Sequence, residues 1–415
     1  SVLLHQGSPR TLEKVAFLYA TFPRKTETFV RRELRALEKL GFSPEAHSLW
    51  GGKPTWEGKQ IHLYPKRRLW TLFFWIPHWA MIKPREFLTA LRFLWGSPCP
   101  NLQNFNETFL GLGFALTEAR RFQREGYRGI HGIWATMPAT AAYALSKLTG
   151  IPYSMGAHAY DLFRKGGDWM LPLKLREASM VRTSSQSSAK RLEALGVGKN
   201  GIKLIRRGLD RWTERDSWEV GRDGSPLRLI SVGRLVPKKG YFHQLEIARE
   251  LQSAGVFFHL SIVGSGRLGA RLAEEVRRKG LGENVSLLGS KSEEEVSELC
   301  LGSDAMLFTG IVDERGDRDG IPNVIPEAME AGCLILASDQ AGASEAFIDE
   351  VSGFSLNPRR PRAWVEILAD FASDPGRYES IRKRAKKHAR ESFDATRTAQ
   401  RLSSCLSKAF ELAGG

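Results

Sequence analysis

Short apolar runs rich in β-forming residues alternate with longer stretches of helical periodicity along the whole chain. In the first half, Val15 to Ala20, Gly129 to Ala135, Tyr153 to Ala157 and Met180 to Thr183 predict strands, with helices such as Glu27 to Leu40 and Pro138 to Leu148 between them. From Leu227 the pattern restarts. Strands are expected at Leu227 to Val232, Phe258 to Val263, Val285 to Leu288, Ala305 to Phe308 and Cys333 to Ala337. Helices are expected at Tyr241 to Ser253, Leu268 to Lys279, Glu293 to Leu301 and Asn323 to Ala331. Such alternation predicts an α/β protein with two doubly wound, Rossmann-like units of parallel strands facing across a cleft. The break falls in residues 211–226, RWTERDSWEVGRDGSP, which are charged, contain Gly and Pro, and lack apolar periodicity. The expected domains are therefore residues 1–210, a linker at 211–226, residues 227–390, and a C-terminal helix in 391–415. That last helix, roughly Thr396 to Leu412, is able to pack on either half.

A chain of 415 residues is long enough for two or three domains, and 42% hydrophobic with 26% charged residues excludes disorder as the main state. The formal net charge of +15 is unevenly placed: 32 cations and 15 acids up to Asp210 give +17, while 29 cations and 31 acids beyond it give −2. One half therefore meets something anionic and the other does not. The four cysteines are scattered without a pair motif, which predicts a reduced, cytoplasmic protein. The chain opens with Ser1 and residues 1–12 lack signal-peptide features, so export is not expected.

Residues 66–95 hold Lys66, Arg67, Arg68, Lys83, Arg85 and Arg92 against the single acid Glu86, interleaved with Trp70, Phe73, Phe74, Trp75, Trp79, Phe87, Phe93 and Trp95. The apolar part, Leu69 to Ile82, is 14 residues with Pro77 and His78 inside it. A transmembrane helix needs about 20. An interfacial helix on an anionic membrane and a core helix pair with a solvated basic edge both suit this stretch. Stacking on single-stranded nucleic acid is a third reading, and no RNA-binding motif accompanies it.

The segment Gly316-Asp-Arg-Asp-Gly-Ile-Pro-Asn-Val-Ile-Pro-Glu-Ala-Met-Glu-Ala-Gly332 sets a loop with Gly320, Ile321 and Pro322 ahead of a helix that begins at Asn323 and Val324. Free amides and the helix dipole at such a start hold a phosphate. Asp319 and Glu327 stand eight positions apart, so both can face one ligand, and ionised carboxylates accept hydrogen bonds from sugar hydroxyls. The alternative is a capped helix with Glu327 solvated. In Ser231-Val-Gly-Arg-Leu-Val-Pro-Lys-Lys-Gly240, a strand ends at Gly233, and Arg234 and Lys239 follow five apart. Two cations at a strand's C-terminal edge, where open α/β sheets bind ligands, can clamp a diphosphate. Either cation alone would be an ordinary surface charge at a turn.

Together these segments resemble the retaining GT-B glycosyltransferases of family 4, which build bacterial cell-surface polysaccharides, and the resemblance covers most of the chain. It implies that Arg234 and Lys239 bind the donor diphosphate, that Glu327 binds the nucleotide ribose, and that Asp319, where the family most often has Glu, contacts the transferred sugar. Leu260 to Gly266, with Gly264, is similar to the family's strand ending in Val-Gly-x-Gly; Val285 to Ser290, with Leu288, is similar to the strand whose following loop meets the nucleobase. Thr21-Phe-Pro-Arg-Lys-Thr-Glu-Thr-Phe29 resembles the Pro-x-x-Ser-Glu-Thr-Phe start of a subgroup working on exopolysaccharide and lipopolysaccharide. It puts Glu27 and Thr28 at the cleft, with Thr26 or Thr28 as a helix cap. His131-Gly-Ile-Trp-Ala135 and Ser154 to Asp161 resemble two cleft-facing histidine segments. By that resemblance His158 approaches the transferred sugar, with Asp161 three residues on; His131 reads equally as a strand-end residue satisfied by the backbone. Arg206, Arg207 and Gly208 occupy the strand exit near the linker, where Arg206 is expected to face the acceptor.

The implied reaction moves a sugar from a UDP- or GDP-linked donor on the second half to a lipid-linked or glycan acceptor. Configuration is retained, no metal or cofactor is needed, and the site lies at the inner face of the cell membrane. His158, Asp319, Arg234 and Lys239 form the expected catalytic set. No Cys/His metal spacing, Gly-x-Ser-x-Gly elbow or Walker loop is present. Asp317-Arg318-Asp319 matches the Asp-x-Asp of metal-dependent transferases of the other fold, but its place directly ahead of a phosphate-binding helix makes the match accidental. Two rivals remain. A Rossmann oxidoreductase or sugar-nucleotide epimerase would need Gly-x-Gly-x-x-Gly after a first strand, and neither half opens that way. A non-catalytic lipid- or nucleic-acid-binding protein would make Arg234, Lys239 and Glu327 dispensable.

Overall fold

The computed structural model describes residues 14–24, 27–96, 98–165, 167–214, 224–340 and 342–412. The extreme N-terminus, Thr26 and most of the expected linker lie outside these residues. A seven-stranded sheet has the order β3-β2-β1-β4-β5-β6-β7, with β1 Val15–Tyr19, β2 Glu45–Ser48, β3 His62–Leu63, β4 Gly129–Gly132, β5 Tyr153–Gly156, β6 Met180–Thr183 and β7 Ile202–Leu204. A six-stranded sheet has the order β10-β9-β8-β11-β12-β13, with β8 Leu227–Val232, β9 Phe258–Val263, β10 Val285–Gly289, β11 Ala305–Phe308, β12 Leu334–Ser338 and β13 Phe354–Leu356. Neighbouring strands of both sheets are parallel. Strand order reverses beside β1 and again beside β8, which opens a crevice at the C-terminal edge of each sheet.

Both sheets are covered on both faces, which is why β1 (Val-Ala-Phe-Leu-Tyr), β11 (Ala-Met-Leu-Phe) and β12 (Leu-Ile-Leu-Ala-Ser) read as near-continuous apolar runs. Over the first sheet, α4 (Leu102–Glu125) and α5 (Met137–Thr149) cover one face, and α1 (Thr28–Lys39) lies on the other. The chain then crosses back. After α8 (Glu379–Ser392) on the second domain, Leu209 N donates to Phe393 O at 2.6 Å and Ala395 N donates to Leu209 O at 2.9 Å. From there α9 (Ala395–Leu412) packs on α1 and on the first sheet. Its Phe410 fills the space beside Gly129, where a Cβ would come within 2.2 Å of the ring.

Strand β4 stops at Gly132, short of the expected Ala135: Ile133 N makes the last ladder bond, to Leu18 O at 3.1 Å, and Ala135 N is taken instead by Asp161 Oδ2 at 3.0 Å. The structure adds β2, β3, β7, β13 and the long α4, none of which the apolar pattern marked.

Residues 66–95 form a helical hairpin, α2 (Leu72–Ile82) and α3 (Pro84–Leu91), against α4 and α5. Trp79, expected at a membrane surface, belongs to the core instead: it is 2% exposed and its indole N–H donates to Leu116 O at 2.8 Å. Trp75 is half-buried against the same core. Lys83 turns inward to Leu148 O at 2.8 Å, and Arg68 pairs with the buried Glu118. Outward faces carry Trp70 and Phe73, each 83% exposed, with Phe74, Met81 and Ile82. Arg67 and Arg85 are exposed among them. No described helix is long and apolar enough to cross a membrane.

Candidate active site between the two sheets

At the exit of β8 the ladder continues through Gly233 N to Val263 O at 2.9 Å, and Leu235 N ties the following loop to Ser265 O at 2.9 Å. Gly264 has φ +143°, and a Cβ there would lie 1.9 Å from Gly233 O, so the two strand exits meet only through glycine. Gly240 is similarly pressed onto β11's exit, with φ +66° and a Cβ position 1.9 Å from Thr309 O. This loop hands its side chains to the switch point between β8 and β11. Arg234 is exposed and makes no ion pair among the described residues. Lys239 Nζ lies 2.9 Å from Asp319 Oδ2 and 4.9 Å from the centre of the Phe308 ring.

The buried Lys238 Nζ reaches Asp317 Oδ1 at 3.0 Å and Asp319 Oδ1 at 3.4 Å, so both carboxylates of the Asp-x-Asp run meet lysines. Burial opposes ionisation of Asp319, but Lys239 and Lys238 outweigh it and hold the carboxyl below its usual range. Behind this loop, Gly342 N donates to Asp319 O at 3.1 Å. Ile321 and Asn323, at the start of α7 (Val324–Ala331), line a cleft cavity. Gly320, Pro322 and Val324 complete that turn, and Leu288 sits partly buried at the end of β10.

Glu327, on the first turn of α7, is gripped from the opposite domain. Arg32 of α1 is 5% exposed and reaches Glu327 Oε1 at 2.7 Å, Glu293 Oε1 at 2.5 Å and Asp210 Oδ1 at 3.4 Å. Burial raises the Glu327 pKa, and Arg32 works against that rise. Further ties close the cleft: Ser187 N at the start of α6 (Gln186–Ala194) donates to Glu345 Oε1 at 2.9 Å, and Lys165 N donates to Arg315 O at 2.7 Å.

On the first-domain side, His158 follows β5 and is buried, 3.4 Å from Ser184 Oγ and edge-on to Trp134 at 5.3 Å. Burial, with Arg207 and Arg182 beside it, holds its pKa well below the ordinary value, so the imidazole is neutral. His131 is satisfied by a side chain, its Nδ1 lying 2.8 Å from Ser154 Oγ, and burial lowers its pKa to about 3. Asp161 does not line the cleft cavities; it anchors the Ala135 amide. Glu27 occupies the N-cap position of α1 without a side-chain cap bond, and Thr28 is the first helical residue and not the cap; Thr26, the other expected cap, lies outside the described residues. Arg206 turns to Phe393 at 5.2 Å, and its neighbour Arg207 lines the cleft instead, because successive side chains of an extended segment point to opposite sides.

Among the described residues, one three-residue group has metal-ligand character, Glu45, His47 and His62, on β2 and β3 away from the cleft. Lys14 lies 3.0 Å from Glu45 Oε1 and Arg121 lies 3.3 Å from His47 Nδ1, so cations already face these ligand atoms.

The family profile described as Glycosyl transferases group 1 matches residues 213–388. WcaL of Escherichia coli K12, described as a colanic acid biosynthesis glycosyltransferase, is 30% identical over 426 residues, covering 95% of this chain and 99% of that protein. The chain belongs to the group 1 glycosyltransferases. AmsK of Erwinia amylovora, an amylovoran biosynthesis glycosyltransferase, is 32% identical to this glycosyltransferase over 180 residues, 43% of this chain and 44% of AmsK. In fold the glycosyltransferase is similar to Anabaena HepE in complex with UDP, with a TM-score of 0.70 at 17% identity, covering 95% of this chain and all of that one. It also resembles the lipopolysaccharide outer core galactosyltransferase WaaB, with a TM-score of 0.66 at 13% identity over 95% and 99% of the two chains. The GT-B fold is thus shown by the two sheets, their cleft and α9 returning to the first domain.

Arg32, Glu293 and Glu345 of the glycosyltransferase's cleft carried no sequence signal, while Lys238 and Arg207 stand next to the residues singled out, Lys239 and Arg206. Arg32 and Glu293 are 261 positions apart and sit on unremarkable amphipathic helices, so only closure of the two domains brings them together.

Proposed function

We propose that this glycosyltransferase moves a sugar from a UDP- or GDP-linked donor to a lipid-linked or glycan acceptor in bacterial surface-polysaccharide synthesis, with retention of anomeric configuration. The observation that carries it is the arrangement at the β8–β11 switch point: a free Arg234, Lys239 paired with Asp319, and Glu327 at the start of α7. Departure of a nucleoside diphosphate places negative charge where Arg234, Lys239 and the α7 amides stand, and leaving-group stabilisation by such groups needs no metal. The lysine-bound state of Asp317 and Asp319 fits that reading. Asp319 then lies beside the transferred sugar, Glu327 takes the ribose hydroxyls once Arg32 shares or yields it, and the neutral His158 offers a hydrogen bond without adding charge. Closure of the cleft limits hydrolysis. The exposed aromatic and basic face of α2 and α3 supports peripheral contact with anionic lipid at the inner face of the membrane.

Thermal-shift titration with UDP, GDP and their sugar conjugates tests the reading, UDP first because it is the nucleotide in the HepE complex. One nucleotide should raise the melting temperature, and Lys239→Ala and Glu327→Ala should weaken its binding by roughly tenfold or more, the loss of one charge-assisted contact. Nuclear magnetic resonance of the product should show the donor's anomeric configuration. Absence of any nucleotide effect on the wild type, or an inverted product, overturns the reading.

A further inference from the structure

One cation of the cleft is not used by the donor site. Arg207 follows the end of β7 and lines two cavities of the cleft, one with Arg32 and Asn323, the other with His158 and Arg182. Its guanidinium lies 3.5 Å from the centre of the Phe29 ring and 5.3 Å from that of Trp134. No hydrogen bond or ion pair reaches it among the described residues. The carboxylates around it are committed elsewhere. Glu33 takes the two terminal nitrogens of Arg182 at 2.6 and 2.5 Å, Glu27 meets Arg24 at 3.4 Å, and Asp161 accepts the Ala135 amide at 3.0 Å. Burial, reinforced by Arg182, pushes the Arg207 pKa down to about 10, so the group is still charged at neutral pH. Arg207 is half-buried, and a partly desolvated charge held between aromatic faces without a counter-ion favours the binding of an anion.

We propose that Arg207 binds an oxyanion carried by the acceptor, a sugar carboxylate or a lipid-carrier phosphate, beside the hydroxyl that receives the sugar. This rests on the transferase reading above. The donor diphosphate has its own cations on the second domain, Arg234 and Lys239. Arg207 enters from the opposite side, grouped with Phe29, Trp134 and His158 of the first domain, the half that carries the +17 charge. With ring faces against the guanidinium, its N–H edge is what remains for a ligand, and that edge fits two oxygens of a carboxylate or phosphate side by side.

The test is calorimetry on protein saturated with UDP, titrated separately with methyl glucuronide, methyl phosphate and methyl glucoside. UDP binding to the wild type is measured first, so failure of the transferase reading shows before any anion is added. The expected result is that at least one anion binds at least about tenfold tighter than the neutral glucoside, and that Arg207→Gln removes this advantage while leaving the UDP affinity within about twofold. A response to glucuronide alone assigns an acidic sugar, and a response to methyl phosphate alone assigns a lipid-carrier phosphate. The proposal is overturned if the glucoside binds as well as the anions, if neither anion binds, or if UDP affinity falls as far as anion affinity in Arg207→Gln. Should that variant not fold by circular dichroism, Arg207→Lys decides. Weakened anion binding with unchanged UDP binding supports the proposal, and unchanged anion binding overturns it.

Discussion

Asp161 shows how a residue aligned with a functional motif can act one step behind the cleft. Its carboxylate holds the Ala135 amide at the turn that ends β4, which fixes the Trp134 ring beside His158. Burial raises its pKa from 3.8 to about 6, with the Ala135 and His158 amides opposing. Because the folded protein binds this proton more tightly than the unfolded chain, stability falls as pH rises from about 4 to 6, by about 3 kcal/mol for this group. Asp161→Asn keeps an oxygen for the amide and removes the titration. Urea unfolding of the two proteins should therefore diverge over that interval in the variant's favour, and parallel curves would show that Asp161 is not the titrating group. The motif gave this residue's place in the sequence; its burial, and hence its role, depends on the packing around it.

Among the elements, the second domain was almost fully legible. Tyr241–Ser253, Phe258–Val263, Glu293–Leu301 and Ala305–Phe308 match the pattern residue for residue, since fully buried strands and amphipathic helices carry strong, regular signals. The first domain was read less well. β3, the edge strand, has two residues, and β2 beside it is Glu-Ala-His-Ser; strands this short or this polar show no alternation, so their pairing reveals them and periodicity does not. The α2–α3 hairpin divides the two readings of residues 66–95 between its faces. Trp79→Ala should lower unfolding free energy by about 3–5 kcal/mol, the loss of a buried aromatic. The double substitution of Trp70 and Phe73 by Ser should leave the melting temperature nearly unchanged yet reduce flotation with anionic liposomes. Undiminished flotation would remove the membrane role from this face.

Across the whole molecule, the two domains are joined twice, by the linker after Leu209 and by α9 returning to the first sheet. Phe410 is 4% exposed within the core shared by α1, α9 and β1. Phe410→Ala should destabilise the first domain by about 3–5 kcal/mol although it lies at the chain's far end, and proteolysis should then cut the first domain before the second. A second domain that is cut first would show that α9 does not support the first sheet. Arg32 adds a third tie, bridging Glu293 and Glu327 across the cleft.

By itself the sequence determined the two α/β units and the unequal charge of the halves, and it pointed to Arg234, Lys239, Asp319 and Glu327 as candidate site residues, because each depends on local periodicity or on residues a few positions apart. Tertiary structure alone decided which cations are free. Lys238 and Arg32 are spent on carboxylates distant in sequence, Arg206 faces Phe393, and Arg207 is left open in the cleft. Charge is written in the chain, but its neutralisation depends on distances that exist only after the two domains close.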